Sequence, residues 1–229
     1  MQLRRIRRHR FLVCYSKNMT KTIPDERVGK PSLGYVLLAL PSMQTRAQIG
    51  ALLDELSKEI PGVLWPMPQV QLHFTLCVII QPKPYSEDKE KLFSLHREDY
   101  VNVPDRILSA MPKFTITLDA IEASPQAIIV RSSDPESFNT IRSQLMQHMQ
   151  LPAETKAPPD IIHSSIARYM REVDLERIQE TVARHSIAIK EVVSEFKLIR
   201  VEVPPLQKYT VVKRILYSSS KAPPVSSNT

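Results

Sequence analysis

The sequence predicts an α+β fold: a single bilobal domain in which two antiparallel-rich sheets with flanking helices surround a central cleft. Two runs of alternating apolar residues, 69–80 and 160–169, predict one strand in each half of the chain. A segment with apolar residues at helical spacing precedes each run, so a strand, helix, strand order occurs twice. The chain has 229 residues, of which 42% are hydrophobic, and can therefore bury a sizeable core.

The first half begins with an apolar strand at residues 35–40. A helix is predicted over residues 46–60, ending at Pro61-Gly62, because one apolar stripe is formed by Ile49, Leu52, Leu53, Leu56 and Ile60. The strand over residues 69–80 follows. Residues 81–105 are polar and punctuated by prolines, which indicates a surface loop with room for one short helix, placed to act as a lid.

The second half predicts a hairpin from residues 113–122 and 127–131, followed by a helix that begins at Asp134-Pro135. Its inward positions are Phe138, Ile141, Leu145 and Met149. The strand over residues 160–169 comes next, and Asp174 is placed to cap a further helix. Strands at residues 196–203 and 209–217 complete the domain, which we expect to span residues 34–217.

The ends of the chain differ from this body. Residues 1–33 are predicted to be a flexible basic leader or linker, and the Ser/Pro-rich residues 218–229 a disordered tail. Residues 1–24 hold seven basic residues and no acidic one, which leaves 24 basic and 24 acidic residues in the rest. The net charge of +7 therefore belongs to the leader, and a neutral body favours a small or terminal phosphate substrate over a long duplex.

Three interpretations of the leader stay open. Residues 1–24 have the composition of a mitochondrial transit peptide, Met19 is an alternative start, and a basic arm could bind RNA or direct nuclear import. The two cysteines, Cys14 and Cys77, do not suggest a disulfide framework, so we expect an intracellular protein, mitochondrial or cytoplasmic and nuclear. No apolar run approaches the eighteen or so residues of a membrane span. Separately, we expect the protein to be a monomer.

A short motif occurs once on each of the two principal strands. His73-Phe74-Thr75-Leu76 lies in the first, and His163-Ser164-Ser165-Ile166 in the second. Because side chains alternate between the faces of a strand, each histidine shares a face with the hydroxyl residue two positions later. Strict alternation also puts Cys77 with His73 and Tyr169 with His163. Each strand can therefore present one proton-transfer group and one hydroxyl donor to a shared space.

These two motifs resemble the HxTx and HxSx motifs of the 2H phosphoesterase superfamily, and the resemblance covers roughly residues 34–217. It implies cyclic phosphodiesterase or 2'-5' RNA ligase-like activity on a nucleotide or an RNA end. It also implies that His73 and His163 are catalytic and that Thr75 and Ser165 contact the phosphate. Serine at the second hydroxyl position departs from threonine, but both residues offer one O–H donor.

The chemistry that fits these residues needs neither a metal nor a cofactor. One neutral and one charged histidine near physiological pH would act as base and acid, and the sequence leaves open which is which. The hydroxyls would hold the phosphate oxygens in line. Tyr169 and Trp65 are candidates for stacking on a base.

Two other functions stay open. The chain could be a catalytically weak module that binds nucleotides or RNA ends. It could also be an interaction protein that uses the basic arm and residues 81–105. A zinc site built around the two histidines has no supporting ligand spacing.

Overall fold

Ten strands and five helices make up the part of the chain that the computed structural model describes, residues 19–83 and 87–217. The helices are α1 (Met43–Glu59), α2 (Lys89–Leu95), α3 (Arg97–Ser109), α4 (Glu136–His148) and α5 (Leu175–Ala183). The strands are β1 (Gly34–Ala39), β2 (Leu64–Pro66), β3 (Phe74–Ile80), β4 (Phe114–Leu118), β5 (Ala120–Ala123), β6 (Ala127–Arg131), β7 (His163–Tyr169), β8 (Ile189–Val193), β9 (Glu195–Val203) and β10 (Lys208–Leu216).

The strands form two four-stranded sheets and a two-stranded ribbon. The first sheet has the order β10-β9-β1-β3, the second sheet has the order β2-β7-β6-β5, and β4 pairs with β8. Every pairing within them is antiparallel. The predicted α+β class with antiparallel sheets is therefore confirmed. The two motif strands, β3 and β7, lie in different sheets.

Neither sheet comes from one half of the chain. The first sheet takes β1 and β3 from the first half and β9 and β10 from the end of the domain. The second sheet takes β2 from the first half and pairs it with β7. Apolar side chains from both sheets and all five helices contribute to one large buried cluster, so the two lobes share a core.

Helix α1 begins earlier than predicted, because Ser42 caps it. The Ser42 hydroxyl accepts a hydrogen bond from the Thr45 amide at 3.2 Å. Glu191 on β8, only 3% exposed, accepts from the Ser42 amide at 2.9 Å, the Ser42 hydroxyl at 2.8 Å and the Thr45 hydroxyl at 2.5 Å. One buried carboxylate therefore anchors the start of α1 to the ribbon.

The prediction of a surface loop over residues 81–105 is wrong, because α2 and α3 occupy most of it. Asp88 caps α2 by accepting from the Lys91 amide at 2.9 Å. Phe93 stacks on Tyr35 of β1 at 3.7 Å between ring centroids, and Tyr100 is 1% exposed. These sparse aromatic anchors were hidden in a charge-rich sequence. Residues 84–86 lie outside the described residues.

The position of α2 also argues against a lid over the histidines. Tyr35 pairs with Ile80, the last residue of β3, whereas His73 precedes the first. Seven residues of extended chain span roughly 20 Å. The hydroxyl of Tyr35 donates to Glu90, and Arg200 of β9 pairs with the same carboxylate. Helix α2 is therefore fastened at the far end of the strand from His73.

Other predictions hold in part. The pairing of β5 with β6 confirms the hairpin, but its long first arm is split, because β4 pairs with β8 instead. All four predicted inward residues of α4 are buried, with Met149 at its C-cap, and Asp174 caps α5 by accepting from the Glu176 amide at 2.9 Å. Strands β2 and β8 were not predicted.

The prediction of a flexible leader to residue 33 fails for residues 20–25. Thr22 is 1% exposed and exchanges two hydrogen bonds with Val173, through the Thr22 amide and the Thr22 hydroxyl. Asp25 donates its amide to the Tyr169 carbonyl at 3.1 Å. Residues 1–18 of the predicted leader and the predicted tail lie outside the described residues.

We predict that Glu191→Ala lowers the free energy of unfolding by about 3 kcal/mol, because three hydrogen-bond donors lose a buried charged acceptor. Urea denaturation measures the change. The control is Glu180→Ala, an exposed position on α5, which should stay within about 0.5 kcal/mol of the unchanged protein. Equal stability of the two variants would show that this carboxylate does not hold α1.

Candidate functional site

The two motif strands have the same burial pattern over nine residues. Residues 71–79 and 161–169 alternate between half-buried and buried positions in the same order. In each strand, the motif histidine and the motif hydroxyl residue both occupy half-buried positions. The alternation then breaks in both strands, because two consecutive residues are buried: Leu76 and Cys77 in β3, Ile166 and Ala167 in β7.

A register irregularity causes this break in each strand. Leu37 and Leu38 of β1 pair with Cys77 and Thr75, so Leu76 is passed over. Ile128 and Ile129 of β6 pair with Ala167 and Ser165, so Ile166 is passed over in the same way. Such β-bulges redirect the side chains that follow. Val78 and Arg168 therefore take the half-buried positions that strict alternation assigns to their neighbours.

His73 lies just before β3, although the predicted strand begins at residue 69. A 3-10 turn, Gln69–Gln71, replaces the start of that strand, and Val70 is 66% exposed rather than packed. The turn places the Gln71 carbonyl 2.7 Å from Nδ1 of His73. Nδ1 therefore carries a proton and donates it to this carbonyl, which leaves Nε2 to exchange a proton with a ligand.

His163 begins β7 and pairs with Arg131 of β6. Burial lowers the pKa of His163 to about 4, and the positive charges of His73, Arg142 and Arg168 act in the same direction. Because the charge of His73 affects the pKa of His163, the two rings are within electrostatic reach of each other. Residues ninety positions apart in the sequence therefore lie near each other.

The pKa of His73 is lowered as well. Burial is the main cause, the hydrogen bond to the Gln71 carbonyl opposes it, and the charge of Arg168 adds to it. Both histidines are therefore neutral near pH 7 in the ligand-free protein, whereas the sequence led us to expect one neutral and one charged. A bound anion would act against this, since a nearby negative charge raises the pKa of a histidine.

Arg168 is the site residue that sequence reasoning missed. Its charge lowers the pKa of both histidines, so it lies near both. On the second sheet it pairs with Trp65 of β2, and its Nε is 3.8 Å from Oδ2 of Asp25. Strict alternation had assigned it to the opposite face. An arginine five residues after a motif histidine, on the same strand, was the signal available.

Tyr169, by contrast, was predicted to lie at the site, and the structure places it elsewhere. The bulge turns it into the core, where it is 2% exposed and donates its hydroxyl to the Ser124 carbonyl at 3.0 Å. Its ring offers no open face on which a base could stack. Cys77 is also buried rather than on the face of His73, and burial raises the pKa of its thiol to about 12, which argues against a nucleophilic role.

Arg142 of α4 joins the two motif strands. It is 5% exposed, and its Nε donates to the Leu76 carbonyl at 2.9 Å. One terminal nitrogen donates to the carbonyls of Thr75 and Ile161, both at 3.0 Å, and the other to the Asn139 side chain at 3.0 Å. A single guanidinium therefore connects the backbone of the first motif, including the bulge residue of β3, to the backbone two residues before His163.

Within residues 19–83 and 87–217, no group of three or more His, Cys, Asp or Glu side chains is arranged to hold a metal ion. Over the same part of the chain, no helix has both the length and the apolar character that crossing a membrane requires.

We predict that Arg142→Met lowers the free energy of unfolding by about 3 kcal/mol, since three buried carbonyls lose a charged donor. The free energy of unfolding of Arg142→Lys should lie between those of Arg142→Met and the unchanged protein, because an ammonium group cannot reproduce the fork of the guanidinium. Thermal or urea unfolding provides the measurement, with Arg177→Met on the exposed face of α5 as the matched control. If both methionine variants unfold alike, Arg142 does not join the strands energetically.

Comparison with known proteins agrees with the two motifs. The model of the 2'-5' RNA ligase superfamily matches residues 37–204. Among solved structures, the chain is similar to TT0787 of Thermus thermophilus, with 18% identity, a TM-score of 0.56 and coverage of 82% of this chain and 100% of that chain. It is also similar to E. coli LigT in apo form, with 20% identity, a TM-score of 0.56 and coverage of 82% and 99%.

No curated protein matches the chain at a significant level. The structural similarities, at these identities, show a shared fold. The family match covers most of the chain and includes both histidine motifs, so the resemblance that those motifs carried is confirmed. The chain therefore belongs to the 2'-5' RNA ligase superfamily, a family of 2H phosphoesterases.

Proposed function

We propose that this chain is a metal-independent phosphodiesterase that acts on a 2',3'-cyclic phosphate or on a 2'-5'-linked nucleotide or RNA end. Family membership supports a phosphoesterase activity. The observation that carries the finer proposal is the repeated pair of half-buried histidine and hydroxyl residues, with the charge of Arg168 near both rings.

In this proposal the two histidines share the proton transfers. One removes the proton from the attacking oxygen, and the other protonates the leaving oxygen. His73 takes part through Nε2, because its Nδ1 is engaged with the Gln71 carbonyl. The two roles exchange when the reaction runs in reverse, so a single arrangement serves both cleavage and formation of the phosphodiester.

The phosphate itself would create the charged histidine that the reaction needs. Thr75 and Ser165 donate to its non-bridging oxygens, while Arg168 balances the charge that builds on them. The negative charge of the bound substrate opposes the effects that lower the pKa of both imidazoles. One histidine is then an imidazolium in the complex, although both are neutral in the free protein.

Three observations favour a nucleotide-sized ligand: the charge of the chain, the ligands of a structurally similar protein, and a half-buried tryptophan. Outside residues 1–24, basic and acidic residues are equal in number, which favours a terminal phosphate over an extended backbone. Structures of E. coli LigT have been determined with phosphate and with 3'-AMP. Trp65, half-buried and paired with Arg168 across β2 and β7, is the residue we propose to stack on the base.

A binding module without useful turnover is the alternative. The observation in its favour is the low pKa of both histidines, which leaves the free protein without an imidazolium near pH 7. This alternative predicts tight binding of nucleotides with no product. The catalytic proposal predicts product, so a turnover assay on the substrates named above distinguishes the two.

We predict that His73→Ala and His163→Ala each lower kcat on 2',3'-cyclic nucleotides by a factor of about 10² to 10⁴, the range typical of a lost acid or base. Circular dichroism should show an unchanged fold. The matched control is His148→Ala, an exposed histidine at the end of α4, which should keep full activity. Activity should also survive EDTA.

Two results would contradict the proposal. Full turnover in either motif-histidine variant would remove the acid–base assignment. Loss of turnover with EDTA, restored by a divalent cation, would remove the metal-independent mechanism. Assays with 2'-5'-linked oligonucleotides and with RNA bearing a cyclic end identify the preferred substrate, and the position of the product phosphate shows which oxygen is protonated.

The pH dependence gives a separate prediction. The productive form has one imidazolium and one neutral imidazole, and it is most populated between the two pKa values of the pair. Because both are lowered in the free protein, the bell of kcat/KM should have its maximum below pH 6.5. The bell of kcat should lie at higher pH, since bound phosphate raises both pKa values. A kcat/KM maximum above pH 8 would contradict this.

A further inference from the structure

A short N-terminal segment, residues 20–25, lies against the second sheet beside the site. Its backbone is fixed by hydrogen bonds from Thr22 to Val173, from Ile23 to Pro125, from Asp25 to Tyr169 and from Leu175 to Thr20. The segment precedes the region matched by the family model, which begins at residue 37. It therefore lies outside the part of the chain that the family model matches.

This segment brings a carboxylate to the arginine of the site. Asp25 Oδ2 lies 3.8 Å from Nε of Arg168, and the Asp25 side chain is only 10% exposed. The other carboxylate oxygen, Oδ1, accepts from the amide of Arg27 at 3.1 Å and from its Nε at 3.2 Å. Asp25 is thus held on both sides, by its own backbone and by Arg27.

We propose that Asp25 is a positioning residue for Arg168, an inference that rests on the proposed function. Arginine has a long, flexible side chain, and the attraction of a fixed carboxylate 3.8 Å from Nε limits the orientations that it takes up. The charge of Arg168 acts on both histidines, beside which the phosphate would bind. Groups that hold a binding residue in its productive geometry commonly contribute a factor of ten or more to affinity or rate.

The test is Asp25→Asn, which keeps an oxygen for Arg27 but removes the charge. Removing it should raise KM by about tenfold and leave kcat within about twofold, because Arg168 is present but less well oriented. In an Arg168→Ala background the same substitution should have no effect, since Asp25 acts only through the guanidinium. Lys21→Ala, which removes an exposed ion pair of the same segment with Glu172, is the matched control and should change neither constant.

Binding of inorganic phosphate, measured by calorimetry, separates this inference from the proposed function. If the unchanged protein turns substrate over and Asp25→Asn matches it in KM and in phosphate affinity, the role of Asp25 is refuted while the function stands. If the unchanged protein binds phosphate without turnover and Asp25→Asn weakens that binding about tenfold, the function fails and the role of Asp25 stands. Absence of phosphate binding, or tighter binding by Asp25→Asn, overturns the positioning role.

Discussion

The guanidinium of Arg142 is the interaction on which the site depends most. It donates to the carbonyls of Thr75, Leu76 and Ile161, so it connects the backbone of the first histidine motif to the backbone just before the second. The two sheets already share an apolar core, and this connection further restricts the distance between the imidazoles. A phosphate can be contacted from both sides only when that distance is constant.

The bulges at Leu76 and Ile166 explain which side-chain orientations could be predicted from the sequence and which could not. The relation between a histidine and the hydroxyl two residues later is local, so alternation predicted both pairs. Beyond each pair, the facing direction depends on how the strand pairs with β1 or β6, which a single sequence does not contain. Arg168 and Tyr169 were exchanged for this reason, one predicted to face away from the site and found beside it, the other the reverse.

The remaining misses share a physical origin. Strands β2 and β8 are short, and each is defined by the strand it pairs with rather than by its own periodicity. Helices α2 and α3 carry many charges, and their packing depends on a few buried residues such as Phe93, Tyr100 and Leu108. Helices α4 and α5 were predicted well, because their apolar stripes and the Asp174 cap are written in the local sequence.

The way the sheets draw strands from distant parts of the chain has a consequence for how the molecule folds. Separated fragments divided between α3 and β4 would each lack strands that their own sheet requires: β9 and β10 in one case, β2 in the other. Although the two motif strands resemble each other, neither half can be an autonomous folding unit. Stability should therefore arise cooperatively, late in synthesis, once the C-terminal hairpin has joined the strands made first.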